Sequence, residues 1–471
     1  MDLLELLNSN HPAFDEHADM FDYHYRAYVG AWEWRKGEYL RKYFAEHLAP
    51  YDVYSARLQA TPFDNQVKTV IDVYRSFVFQ NSPKRSIETL DSNPFVEEWM
   101  NDVDLEGQGI DSFMKTAMDW AMVYGNVWVG VDKPAYTAQT AGEELDAGIR
   151  AYATLYTPQN VRDWVWERDF TGRKRLSYLR VVEDSTEEYD VLKLWTPENC
   201  RRVVAEKEPM TGEYKAVLEA EDMPNALGYV PFVNIVPVAH EHKGLGHSII
   251  ADVADVSRSI YNKLSELEQN IRLSVHPSLV KTPETTAEGG AGNIIEMPED
   301  LPADKNPYLL QPTGASIDGI LAAIERDVES INSMTHLTAV RAQKSQAASG
   351  VSLTVERQLL NSKLSDLADT VEEAEVKLWN IFMDWQGIVK PDGFKVEYDR
   401  AYDIRDNQQE MNLLVRSLEV IPTEEYKEYV AVEVAKMLIE DDDELALVLK
   451  SIAAYDKWTP EQEDDTPFSG A

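Results

Sequence analysis

Cysteine is nearly absent from this 471-residue sequence: Cys200 stands alone. One thiol cannot build an intrachain disulfide framework, and the count suits a reducing compartment. Positive charge is scarce as well. Lysine and arginine total 45 against 83 aspartates and glutamates, a formal net charge of −38. Such a surface repels a phosphate backbone, which argues against broad-faced nucleic-acid binding. It leaves open the passage of DNA through a channel whose walls it does not stick to. No apolar run reaches the roughly 18 residues of a transmembrane helix, and the opening MDLLELLNSN lacks the basic start of a signal peptide. The expectation is a soluble protein made in a cytoplasm, with no membrane partner.

Recognisable chemistry is missing too. There is no G-x-x-x-x-G-K-[ST], no G-x-G-x-x-G behind a strand, no H-E-x-x-H and no G-x-S-x-G. Carboxylates are abundant, but nothing selects a catalytic pair, and no nucleophile–base pair stands out. The reading is a protein that is not an enzyme, with no catalytic residues, no cofactor and no metal.

What is present is patterned for folding. Apolar residues make up 44% of the chain, enough for several cores. Residues 1 to about 120 read as helical and aromatic-rich. Tyr23, Tyr25, Tyr28, Trp32, Trp34, Tyr39 and Tyr43 crowd together with Arg26, Arg35 and Arg41. Base stacking is one use of such a segment; a packed helix or subunit contact is the preferred one. A helix with a Val67, Val70, Ile71, Tyr74, Phe77 stripe follows Thr61-Pro62, and another spans Ile110 to Tyr124 with Gly125-Asn126 closing it. From Val127 the period becomes two. Short runs at Val127–Asp132, Ala151–Tyr156, Trp164–Glu167, Leu176–Val182, Tyr189–Trp195 and Phe232–Val238 predict an antiparallel sheet or small barrel.

His240, His242 and His247, with Glu241, lie in HEHKGLGH. Their spacing fits no metal-ligand pair, so a Gly-hinged linker is preferred to a zinc site. A helix follows over Ser248–Ser274, and then a Pro/Gly-rich stretch, Pro277–Gly314, reads as an exposed excursion without a phosphate loop. Two long helices come next and are expected to face each other. The first carries Ile317, Ile320, Leu321, Ile324, Val328, Ile331, Met334 and Leu337 on one stripe. The second steps by four and three through Leu360, Leu364, Leu367, Val371, Ala374, Leu378, Ile381 and Trp385, a heptad seam that needs a packed partner along its length. Between them lies TAVRAQKSQAASG, Thr338–Gly350, with Arg341 and Lys344 as its only charges. A strand at Phe394–Tyr398, helices from Asp406 and an acidic run, Glu440–Glu444, complete the chain. The run reads as a solvated face. The fold class is α+β, predominantly helical, with an antiparallel β block.

This order of parts resembles the portal protein of tailed bacteriophages. Local strings such as GHSIIADVADVSRSIYNKLSELEQNIRLSVHPSLV and AASGVSLTVERQLLNSKLSDLADTVEEAE carry the likeness, which covers nearly the whole chain. The resemblance implies a wing over residues 1–245, a stem helix over 246–275 and a clip over 276–315. A second stem helix over 316–337, a tunnel loop over 338–350, a long wing helix and strand over 351–404 and a crown with an acidic tail over 405–471 would follow. It further implies a homo-oligomeric ring, typically of twelve subunits, at a capsid vertex of the virion. Double-stranded DNA would pass through it without sequence specificity. Its partners would be the terminase large subunit, a head–tail adaptor, and major capsid and scaffolding proteins. Arg341, Gln343, Lys344, Ser345 and Gln346 would face the DNA. Competing readings are another virion ring or adaptor protein, an acidic metal-dependent enzyme, and a cytoplasmic helical scaffold.

Overall fold

The computed structural model describes residues 2–37, 39–48, 52–87, 90, 93–134, 140–208, 211–275, 278–283, 296, 302, 305–310, 314–341, 350–400, 402, 407–421, 423–439 and 442–453. The chain forms two compact units, Met1–Tyr402 and Asp403–Ala471. Helices and antiparallel sheets are both present, so the α+β class is what the structure shows.

The first unit opens with α1 (Leu3–Asn8), α2 (Pro12–Val29), α3 (Ala31–Trp34), α4 (Phe44–Leu48), α5 (Val53–Ala60) and α6 (Gln66–Val78). A two-residue strand, β1 (Lys84–Arg85), precedes α7 (Pro94–Asn101) and α8 (Ile110–Tyr124). Asn65 caps α6 by accepting the Lys68 N–H at 2.9 Å, and α7 starts with Asn93 as cap and Pro94 behind it. The aromatic segment is a packing device. Trp34 is fully buried, its ring centroid 4.9 Å from Tyr39, 5.0 Å from Phe63 and 5.2 Å from Tyr261. Trp32, by contrast, is exposed.

Next come β2 (Val127–Asp132), α9 (Ala141–Asp146), β3 (Tyr152–Tyr156), β4 (Val161–Arg168), β5 (Lys174–Ser185), β6 (Tyr189–Trp195), β7 (Asn199–Lys207), β8 (Tyr214–Pro224) and β9 (Phe232–Ile235). They form two antiparallel sheets: β3-β2-β9, and a five-stranded meander from β4 to β8. The sequence gives no expectation of β7 or β8. β8 is mostly exposed and charged, so it lacks the alternation that marks a half-buried strand. Leu7 of α1 packs on Val182, Leu192, Leu194, Val203 and Ala205 of the meander. The two sheets are tied by Lys193 of β6, whose ammonium lies 2.8 Å from Asp132 of β2 and 2.6 Å from Glu183 of β5. Those carboxylates hold its pKa above the ordinary lysine value despite its burial.

The loop His240–His247 is pinned, not loosely hinged. Trp164 donates its indole N–H to the Lys243 carbonyl at 2.9 Å, and Asn126 and Asn234 both donate to the Gly244 carbonyl at 3.0 Å. Gly125, at φ 96°, closes α8 in the left-handed conformation and abuts Gly246. A Cβ built on Gly246 would lie 2.0 Å from the Gly125 oxygen, and one on Gly125 would lie 2.2 Å from the Gly246 oxygen. Neither position admits a side chain.

From there α10 (Ala251–Val275) leads to the excursion, whose base is closed by β10 (Ser278–Val280) pairing antiparallel with β11 (Tyr308–Leu310). The return helix α11 (Gly314–Met334) packs antiparallel along α10, with Lys263 to Asp327 at 2.5 Å and Ser316 to Asn270 at 3.4 Å. A short helix α12 (Thr338–Arg341) and the long α13 (Gly350–Gln386) follow, then β12 (Val396–Glu397), which pairs with β1. The expectation that the two long helices face each other is corrected here. α11 packs on α10, while α13 packs on β2, β9, β12, α6 and α8. A heptad seam states that a stripe must be covered but not by what. The seam itself is real: Leu360, Leu364, Leu367, Val371, Ala374, Leu378 and Ile381 are all buried.

Glu375, fully buried in the middle of α13, accepts from Arg85 Nε at 2.5 Å and Trp379 Nε1 at 3.1 Å through one oxygen. The other oxygen accepts from Tyr398 OH at 2.6 Å. Arg85 also reaches Asp111 at 2.6 Å. The second unit consists of α14 (Asn407–Val420), α15 (Glu424–Leu438) and α16 (Asp442–Ala453), packed consecutively. α16 starts inside the acidic run, where Glu440 and Asp441 lie outside the described residues.

Three substitutions test this core. Leu367→Asp or Leu378→Asp places an unpaired carboxylate in the seam, at a cost of several kcal/mol, and is expected to give insoluble or unfolded chain on gel filtration. Arg85→Ala leaves Glu375 buried without its cation and is expected to lower unfolding free energy by about 3–5 kcal/mol in urea denaturation. A loss below about 1 kcal/mol would mean the pair is hydrated in solution.

Candidate nucleic-acid interface

The segment between α11 and α13 is helical at both ends. Thr338–Arg341 is α12, and Gly350 is already the first residue of α13. The expected helix through Leu337 instead ends at Met334, because His336 turns to φ 56° and redirects the chain. Histidine is one of the residues that tolerates this region. Leu337 is still buried, and its N–H donates to the Asn332 carbonyl at 2.9 Å.

Arg341, the first of the five residues expected to face DNA, is half-buried. Its Nη1 donates to Gln66 Oε1 at 3.1 Å and to Asn332 Oδ1 at 3.0 Å. Both acceptors are neutral amides. Burial pushes the guanidinium pKa down, opposed by Asp64 and Tyr74. Gln343, Lys344, Ser345 and Gln346 lie outside the described residues.

The structure adds a cation that sequence reasoning missed. Lys363 of α13 places its ammonium 5.1 Å from the centroid of Tyr74, whose hydroxyl donates to the Thr335 carbonyl at 2.6 Å. Among the described residues Lys363 has no ion-pair partner within 4.0 Å, and burial lowers its pKa. Nothing in the sequence separates it from other polar heptad positions, because its exposure is set by α6, far away in the chain. Arg341 and Lys363 thus flank Tyr74 as two cations held by neutral groups. In a chain this acidic, that leaves local positive charge uncompensated by direct ion pairing among the described residues. Among the described residues no three His, Cys, Asp or Glu side chains are placed to hold a metal ion.

No protein-family model matches this chain, and no curated protein matches it by sequence. Among solved structures, the chain is similar to one described as the neck of an empty GTA particle computed with C6 symmetry. The identity is 11%, the match covers 85% of this chain and 94% of that one, and the TM-score is 0.43.

The two cations separate in a stability measurement. Arg341→Ala strands two amide acceptors and is expected to cost about 1–2 kcal/mol. Lys363→Met removes a half-buried charge that has no ion-pair partner among the described residues, and is expected to raise the urea midpoint at pH 7.5. The folded pKa of Lys363 lies below the unfolded value of about 10.4, so its penalty is full below the folded pKa and fades as pH rises through it. The advantage of methionine should shrink accordingly in alkaline buffer; a destabilised Lys363→Met at pH 7.5 would refute the account.

Proposed function

We propose that this chain is a subunit of a portal-type ring at a virion's capsid vertex, a channel through which double-stranded DNA moves during packaging and ejection. One observation carries the reading: the α10/α11 hairpin is covered on one side only. Ile317, Ile320, Ile324 and Val328 are half-buried against α10, while Ile271 at 40%, Leu273 at 50%, Val275 at 65% and Leu321 at 42% exposure remain open. Neighbouring copies in a ring would cover such a hairpin. The net charge of −38 suits a channel wall that releases few counterions and so lets DNA slide.

In this reading α10 and α11 are the stem, and the excursion closed by β10 and β11 is the clip that meets the terminase large subunit and then a head–tail adaptor. The segment Thr338–Gly350 is the tunnel loop and the second unit is the crown. About twelve copies would close the ring. Arg341 and Lys344, repeated around it, would form a weak positive belt touching phosphates without sequence preference.

Light scattering coupled to gel filtration is expected to give a closed ring of roughly a dozen subunits; a chain that stays monomeric or dimeric under all assembly conditions would refute the proposal. Arg341→Ala/Lys344→Ala is expected to form rings of normal size yet package or retain DNA poorly in vitro. Packaging and retention equal to wild type would remove the loop's charge from the mechanism.

A further inference from the structure

Five of the nine histidines meet at one place. His11, the N-cap of α2, and His17 within α2 come together with His240, His242 and His247 of the pinned loop. His17 and His240 meet edge to face at 5.1 Å between ring centroids, His240 and His247 at 4.5 Å, and His240 and His242 at 5.4 Å. His11 stacks on Trp164 of β4 at 4.1 Å and 11°. The rings meet by faces and edges, which is not how imidazoles converge on a metal.

Three of their nitrogens are already committed. His11 Nδ1 accepts the Ala13 N–H at 3.2 Å and so caps α2, and His240 Nδ1 accepts the His242 N–H at 3.1 Å and so holds the turn. Both acceptors require an unprotonated Nδ1. His17 donates Nδ1–H to the Ala13 carbonyl at 2.9 Å. We infer that this cluster is an acid-sensitive latch: neutral, it fastens the start of α2 to the loop His240–His247, and proton uptake releases it.

The surrounding charges are few. Asp163 of β4 faces His11, and Glu241 lies beside His240 and His242. Arg162 covers Phe14, and Lys243 covers Trp166, with Lys174 and Arg168 near it. Asp163 favours a charged ring at His11 and Glu241 at His240, and in each case burial outweighs the carboxylate. Burial pushes His11 and His240 below the ordinary histidine pKa, further lowered by neighbouring rings: His242 for His11, and His247, His17 and His242 for His240. Farther along α2, His24 is pushed down to about 4 by burial, opposed by Asp255. The sign follows: a base with a depressed folded pKa stabilises fully above the unfolded value of about 6.5, and that stability is lost as pH falls through the folded pKa.

The test is hydrogen exchange read by mass spectrometry on the full chain in its native oligomeric state, from pH 7.5 to 5.0, corrected for intrinsic rates. Exchange in Pro12–Val29 and His240–His247 should rise by about tenfold per unit of pKa depression while α13 stays protected. His11→Asn/His240→Asn keeps both acceptors without titrating in this range, and should abolish or blunt the rise. Equal loss of protection in wild type and variant would overturn the latch. Should the variant fail to fold, wild type alone decides: no rise, or a rise shared equally by α13, overturns it. A transition that shifts with EDTA or added Zn²⁺ would make the rings metal ligands and overturn it as well.

Discussion

A carboxylate sits where a leucine would be expected, in the interior of the longest helix, and the first unit is arranged around satisfying it. Glu375 uses both oxygens on three donors that come from β1, from its own helix one turn on, and from the segment just after β12. An ionised carboxyl in a dry interior is tolerable only with its full complement of partners. The position of α13 is therefore fixed by direction as well as by shape. Apolar packing alone would allow a helix of leucines to slide or rotate by a fraction of a turn; three directed hydrogen bonds do not. The Tyr398 hydroxyl pays in acidity, its pKa driven well up by burial and by the carboxylate it donates to.

Buried charge in the first unit is close to balanced, with Glu46, Asp119, Asp190 and Glu375 on the acidic side. Arg57, Arg85, Arg150, Arg180 and Lys193 are all nearly buried. Arg57 forks onto Glu46 at 2.7 Å and reaches Ser265 of α10 at 2.9 Å, joining the N-terminal helices to α10. Arg180 reaches the Leu6 and Ser9 carbonyls, so it fastens α1 to the meander without any acid. Cations spent on internal bracing are not available to the surface field. Arg341 and Lys363 are two that stay half-open.

How much of this could be read from the residues depended on the range of the interaction. Helix α13 announced itself through steps of four and three, and α8 through its Gly125-Asn126 ending; both are local patterns. What α13 packs against is a property of residues hundreds of positions away, and the pairing with α11 suggested by proximity in sequence was the wrong one. β8 was invisible because strand identity there comes from hydrogen bonding to β7, not from an apolar alternation. The histidine string was visible as three rings, but its meaning changed once α2 and its N-cap delivered two more. Arg341 was legible as a charge and illegible as a contact, since Gln66 and Asn332 come from α6 and α11.

The meeting of Gly125 and Gly246 carries its own consequence. Two backbones from different parts of the chain touch with only hydrogens between them, so the joint has no side chain to trade. At an ordinary core contact a larger residue on one side can be offset by a smaller one opposite. Here each partner is already at the minimum, and no second-site change at the other can rescue a substitution. The contact between the end of α8 and the approach to α10 is thus a point where the chain has no neighbouring sequences to drift into, a fixed pivot in an otherwise negotiable interior.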